Sequence, residues 1–274
     1  MTVPRRAPIA PAADPAAVIG TSTPNPARIY DYLLGGKDNF PADREAAEEV
    51  LALAPEVRAV ARENRAFLRR AVRYLAGEAG IRQFLDVGTG IPAQGNVHQV
   101  AQQVAPDARV VYVDNDPIVL LHARALLAGN HTTIIQADLR EPAAILDHPE
   151  LREVIDFDQP VAVLLLAILH FITDEEDPAG IVTRLRDAMA PGSYLALSHG
   201  TADFRPEATL KAAQVYDRAT APLVLRSHAQ IGRFFDGLEL VPPGLVQVTA
   251  WRPDGELPDG WATSPAYGGI ARKR

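Results

Sequence analysis

The chain contains no cysteine. That absence excludes disulfides, thiolate nucleophiles and thiolate-bound metals together, and it fits a reducing, cytoplasmic setting. Long apolar runs are scarce as well. The longest, VAVLLLAIL at 161–169, is about half a membrane span and reads instead as a strand buried on both faces. The opening stretch MTVPRRAPIAPAADPAA is broken by prolines and has no continuous apolar core, so neither a signal peptide nor a membrane anchor is expected. Lysine is nearly missing: only Lys37, Lys211 and Lys273 among 27 basic residues. The arginines are spread along the chain rather than gathered in a block, and the net charge is −7. Nucleic-acid binding by phosphate neutralisation therefore has no footing. The seven histidines show no paired ligand spacing, so no zinc site is expected.

With 274 residues and 47% hydrophobic content, the chain can form one large domain with added pieces. Residues 1–24 are rich in Ala and Pro and are expected to be disordered, having little to bury. Asn25-Pro26 reads as a helix start and Gly35-Gly36 as its stop. A second helix begins near Asp43. A third follows Pro55, with Val57, Val60, Ala61, Phe67, Leu68, Ala71, Val72 and Leu75 at helical spacing. These helices are expected to form a unit over residues 25–78.

Strands then alternate with helices through residues 79–274. Strands are predicted at 82–87, 108–114, 132–138, 161–169 and 193–199. Helices are marked by Val97 to Val104, by Asp116-Pro117 running to about Ala128, by residues near 141–148, and by Asp177-Pro178. Such alternation makes a parallel sheet covered on both faces. A helix near 206–221 and a short one after Ser227 follow. The segments 238–241 and 246–251 are separated by too few residues for a crossover helix, so an antiparallel C-terminal hairpin is expected.

Three strand ends carry the candidate chemistry. In FLDVGTGIPAQGN (84–96), Gly88 and Gly90 let the backbone pass close to a ligand. Asp114 ends the second strand, where a carboxylate can accept bonds from a ribose diol, and Asp138 ends the third. Ligands of open α/β sheets sit beyond these carboxyl ends. Gly88, Gly90 and Ala93 also satisfy a dinucleotide pattern, which keeps an NAD-dependent oxidoreductase open. Against it, Asp86 would face a pyrophosphate badly but would suit a cationic ligand.

The segments PNPARIYDYLLGGKDNF, FLDVGTGIPAQGNVHQVAQ, VVYVDNDPIVLLHARALL, QADLREP and LLLAILHFITDEEDP resemble class I S-adenosylmethionine-dependent methyltransferases. More narrowly, the chain is similar to the actinobacterial S-adenosyl methyltransferase family once catalogued as a domain of unknown function. The resemblance implies a Rossmann-like α/β fold, a seven-stranded mostly parallel sheet with an antiparallel end, and S-adenosyl-L-methionine as cofactor. It implies that Asp86, Gly88, Thr89 and Gly90 surround the methionine part, Asp114 the ribose, and Asn115, Asp138 and Leu139 the adenine. Ala167 to His170 would face the sulfonium. The fourth strand ends in AILHF rather than the Asn/Asp-Pro-Pro-aromatic motif of many base-methylating enzymes, which turns the expectation towards a small-molecule acceptor.

His170 is by location the candidate general base, with His199 behind it. Residues 25–78 would act as a lid, with Tyr30, Gly36 and Asn39 reaching the cofactor. Asn64 lies on the apolar stripe of its helix and needs partners there, from the N-terminal segment, the ligand or the core. ALSHG (196–200) is a loose hydrolase-like turn without its first glycine. A non-catalytic S-adenosylmethionine-binding protein is the alternative from another class. The oligomeric state is not legible.

Overall fold

The computed structural model describes residues 20–126, 131–257 and 264–274. Residues 1–19 of the expected tail, and the helix end expected near Ala128, lie outside the described residues. Residues 20–24 are not disordered: they form a turn whose carbonyls at Thr23 and Gly20 accept from Arg28 Nη2 at 3.0 and 3.4 Å.

Helix α1 (Pro26–Leu34) starts where Asn25 accepts the Ala27 N–H, and it ends at Gly35 with φ +85°. Helix α2 (Pro41–Leu53) has proline in its first turn, and the Asp43 carboxylate accepts the Phe40 N–H at 2.8 Å. Helix α3 (Val57–Gly77) buries Ala61, Phe67, Leu68, Ala71, Val72 and Leu75 along one stripe. Then follow β1 (Gln83–Val87), α4 (Val97–Val104), β2 (Arg109–Asp114), α5 (Pro117–Leu126) and β3 (Thr132–Gln136). The middle of the chain supplies α6 (Pro142–Leu146), α7 (Pro149–Val154), β4 (Ala162–Leu166), α8 (Pro178–Ala188) and β5 (Tyr194–Gly200). The end supplies α9 (Pro206–Gln214), α10 (His228–Gly232), β6 (Glu239–Leu240), β7 (Val246–Gln247) and β8 (Ala266–Arg272).

The sheet runs β3-β2-β1-β4-β5-β8-β6, with β7 also on β8. Strands β1 to β5 are parallel, and β8 is antiparallel to β5 from Tyr194↔Arg272 to Gly200↔Ala266. Successive side chains of the central strands go to opposite layers. Phe84, Val110, Tyr112 and Leu164 join α3 and α4 in one core; Leu85, Val111, Val163 and Leu165 join α6, α7 and α8 in the other. Sequence order reverses between β1 and β4, and the crevice at that switch point is where such sheets take ligands.

An antiparallel C-terminal hairpin is present, but its partners differ from those expected. β6 and β7 do not pair with each other. Both pair antiparallel with β8, at Glu239↔Arg272 and Val246↔Gly268. Pro242-Pro243-Gly244 thus carries the chain onward along one edge instead of reversing it, and the sheet gains an eighth short strand.

The segment 25–78 is not one unit. Its third helix belongs to the sheet layer through Phe67, Leu68, Ala71, Val72 and Leu75. Only α1 and α2 form a cap, and they share a small core with the C-terminal half: Ile29, Leu33, Ala47 and Val50 pack with Ala212, Val215 and Tyr216. Among the described residues no helix is long and apolar enough to cross a membrane.

Candidate functional site

A cavity of about 570 Å³ lies under this cap, over the carboxyl ends of β1 to β5. Its floor is the turn after β1. Gly88 and Gly90 have φ of +74° and +67°, and a Cβ on Gly88 would sit 2.5 Å from the Ile168 side chain. The N–H groups of Gly88 and Thr89 donate to Val113 O at 2.8 and 3.2 Å, tying the turn to β2. Only glycine fits such a left-handed, crowded position without strain.

Asp86 ends the floor. It is buried, and among the described residues no hydrogen-bond donor reaches its carboxylate. Burial pushes its pKa up to about 7, with Asp114 adding to the rise and the Arg65 guanidinium opposing it. Asp114 is buried beside it, with a pKa raised by burial to about 6. Its oxygens accept from Gly90 N at 2.9 Å and from Asp116 N at 3.0 Å. Each oxygen keeps a lone pair for a ligand hydroxyl. Asp116 caps α5 by accepting the Ile118 N–H at 2.9 Å. Its other oxygen is buried without a hydrogen-bond partner, 3.9 Å from Arg28 Nη1, which also has none.

At the β3 end, Asn115 Nδ2 and Arg140 N both donate to Asp138 at 2.9 Å. Arg140 bonds it further and also donates to Glu176, at 2.5 Å. These bonds hold the Asp138 carboxyl below its ordinary range against the opposing effect of burial. Leu139 is buried on the same wall.

At the β4 end, Ala167 has φ +55°, a strained conformation for a residue with a Cβ. Its N–H is shared by Ser198 O and Ser198 Oγ at 3.1 and 3.0 Å. The Ser198 hydroxyl donates to Asn64 Oδ1 at 2.6 Å, Asn64 Nδ2 to the Tyr30 hydroxyl at 3.0 Å, and Tyr30 to Ala61 O at 3.0 Å. Asn64 is therefore satisfied within the protein, and this chain of bonds links the cap to the strained residue. It also disposes of the hydrolase-like turn, because Ser198 is buried and committed as a donor.

His170 Nδ1 accepts the Gly200 N–H at 3.1 Å. The ring proton therefore sits on Nε2. Arg226 Nη1 lies 3.1 Å from His199 Nε2, and His199 Nδ1 lies 2.7 Å from Gly200 O. A guanidinium only donates, so His199 carries its proton on Nδ1. Burial holds both rings neutral: His199 is lowered to about 3, and His170 falls well below its ordinary value, helped by His199 and Arg226. With Nδ1 engaged by Gly200, His170 does not present the lone pair its expected base role calls for. It offers the cavity an N–H and no free lone pair.

The structure brings Asp86, Gly88, Thr89, Gly90, Asp114, Asn115, Asp138, Leu139, Ala167, Tyr30 and His170 to one cavity. Gly36 and Asn39 are not on its wall. They build the α1–α2 turn: Asn39 Nδ2 donates to Asp31 at 2.7 Å and to Gly36 O at 3.1 Å, and a Cβ on Gly36 would collide with Asp31. Sequence reasoning missed Arg226, which donates to Leu169 O, Ile172 O and Asp174 and so clamps the loop after β4. It also missed Tyr216, Leu223 and Leu225 on the wall, since no local pattern marks them.

The donor set fits a cationic nucleoside. A carboxylate without a donor, a glycine cradle and two further acids at strand tips face one space. Among the described residues no His, Cys, Asp and Glu group could hold a metal ion.

The sequence profile of the S-adenosyl methyltransferase family matches residues 12–274. A DUF574-family protein from Streptomyces avermitilis is 50% identical, with a TM-score of 0.90 over 93% of this chain and 100% of that one. A candidate methyltransferase from Thermobifida fusca is 43% identical, with a TM-score of 0.89 over 96% and 100%. Human N-acetylserotonin methyltransferase in complex with S-adenosylmethionine is similar in fold alone, at 14% identity and TM-score 0.50 over 94% and 65%. No curated protein matches the sequence.

Proposed function

The chain belongs to the S-adenosyl methyltransferase family, and from that premise we propose that it methylates a small molecule held beneath the cap. It is an S-adenosylmethionine-dependent methyltransferase. When bound, the cofactor supplies a methyl group on a positively charged sulfur. Asp86 would hold its amine, the Gly88–Gly90 backbone its methionine part, and Asp114 its ribose. Asn115, Asp138 and Leu139 would take the adenine, and Ala167 would face the sulfur. Tyr30, tied to Asn64, would close the space from above.

The protein's part is alignment and exclusion of water, which can contribute up to roughly 7–11 kcal/mol in favourable cases. The covering helices support a small acceptor over a polymer, because the cavity is roofed by α1 and by the segment after α9.

The observation that carries this reading is the buried Asp86 carboxylate, which has no hydrogen-bond partner among the described residues and only the charge of Arg65 nearby. It needs a cation, and a dinucleotide pyrophosphate would repel it. Titration calorimetry at pH 8 tests it. S-adenosylmethionine and S-adenosylhomocysteine bind, NAD does not, and Asp86→Asn weakens both ligands at least tenfold. Unchanged affinity in the variant would remove the assignment.

A further inference from the structure

The cavity divides along the sheet, and its two halves differ in charge. Its charged wall groups belong to, or face, the tips of β1 to β3: four aspartates, with Arg28, Arg65 and Arg140. Arg28 lies by Asp116, and Arg65 donates to Gly95 O just after β1. Beyond β4 and β5 the wall is Leu33, Val57, Phe171, Tyr216, Leu223 and Leu225. Five of these six belong to, or pack against, the apolar cluster under the cap.

Most polar groups in this second half are already engaged. Ser198 and Asn64 bond each other, Thr209 donates to Arg205 O, and Thr220 accepts from Asn25. Both nitrogens of His199 have partners. The His170 Nε2–H is different. Its ring is fixed from behind by Gly200, and among the described residues the N–H has no acceptor. The Tyr216 hydroxyl, the other unpartnered group there, is also uncharged.

Resting on the methyltransferase reading above, we infer that this half binds an uncharged, largely apolar acceptor of aromatic size whose oxygen accepts a hydrogen bond from His170. Among the described residues no charged side chain lines this wall, and Arg226, behind His199, is already paired with Asp174. A buried ammonium or carboxylate would lose its hydration without a counter-charge, whereas a neutral ring keeps the gain of apolar burial. A few neutral donors in an apolar chamber, the His170 N–H and the Tyr216 hydroxyl, fix orientation at little desolvation cost.

Three naphthalene probes of equal size separate the cases: 2-naphthol, 2-naphthoate and 2-(aminomethyl)naphthalene as its ammonium form at pH 7. Binding is read from probe fluorescence, with and without saturating S-adenosylhomocysteine. The neutral naphthol binds at least tenfold tighter than either ion in both conditions. His170→Phe weakens naphthol about tenfold and leaves naphthalene itself unchanged, while His170→Gln, which can accept from Gly200 and still donate, restores most of the loss. Leu223→Lys, a change at a half-buried position of the cavity wall, turns the preference towards naphthoate.

Equal binding of the ammonium or carboxylate probe, no binding of naphthol, or naphthol affinity indifferent to His170→Phe would overturn the inference. Failure of the methyltransferase reading looks different. S-adenosylhomocysteine then fails to bind in calorimetry, whatever the probes do.

Discussion

At the scale of single residues, Asp86 sets a pH dependence whose sign can be worked out. Its carboxyl has a pKa of about 7 when the cavity holds no cation, against an ordinary 3.8. A raised pKa stabilises the folded protein most below 3.8, and that contribution is lost as pH rises through about 7. A cationic ligand reverses the preference, because it needs the ionised form. Affinity for S-adenosylmethionine is therefore expected to worsen by up to about tenfold per unit below about pH 7, and to fall again above about pH 8 as the ligand's own amine loses its proton. Calorimetry in buffers of different ionisation heat checks this through the proton released on binding. In Asp86→Asn the slope flattens, leaving the smaller effect of Asp114. This acid was legible in the sequence because it sits in a short motif at a strand tip. The tautomer of His170 was not, since the N–H that fixes it comes from Gly200 on another strand.

Elements were legible where one periodicity ruled them. The five parallel strands and the capped helices at Asn25 and Asp177 carry local signals, and they stand where those signals put them. β8 was missed. AYGGIAR has two glycines where a strand is expected to show branched side chains. Their reason is tertiary: a Cβ on Gly268 would lie 2.9 Å from the Phe67 ring, and one on Gly269 3.3 Å from Phe235. α3 crosses β8 at Gly268, and Phe67 stands edge-on to Trp251 there, with ring centroids 5.5 Å apart. Gly268→Val is expected to cost about 1–3 kcal/mol through overpacking, read as a lower urea midpoint at unchanged slope. Gly244, which faces open space, provides a control at a turn: its φ of +91° makes Gly244→Ala a backbone effect, not a packing one.

For the whole molecule, the cap is the part with separable stability. α1 and α2 contribute their own small core, and they meet the sheet layer through the Tyr30–Asn64–Ser198 bonds and the Arg28–Asp116 approach. They cover the cavity, so on the proposed reading the cap opens to admit a ligand. Amide exchange in α1 and α2 is expected to be faster than in β1 and β4, and to slow at least tenfold with S-adenosylhomocysteine bound. Equal protection in both states would argue for a rigid roof. The division at residue 78 suggested by the sequence missed this, because the switch from cap to sheet layer happens inside a run of helices with the same apolar spacing.

The place of β8 in the sheet has a consequence for how the protein is made. This strand is the last described element along the chain, yet it lies inside the sheet, between β5 and the β6–β7 edge. Until residues 266–272 are available to pair with it, β5 has an unpaired backbone edge on that side, ready to pair with a neighbouring chain.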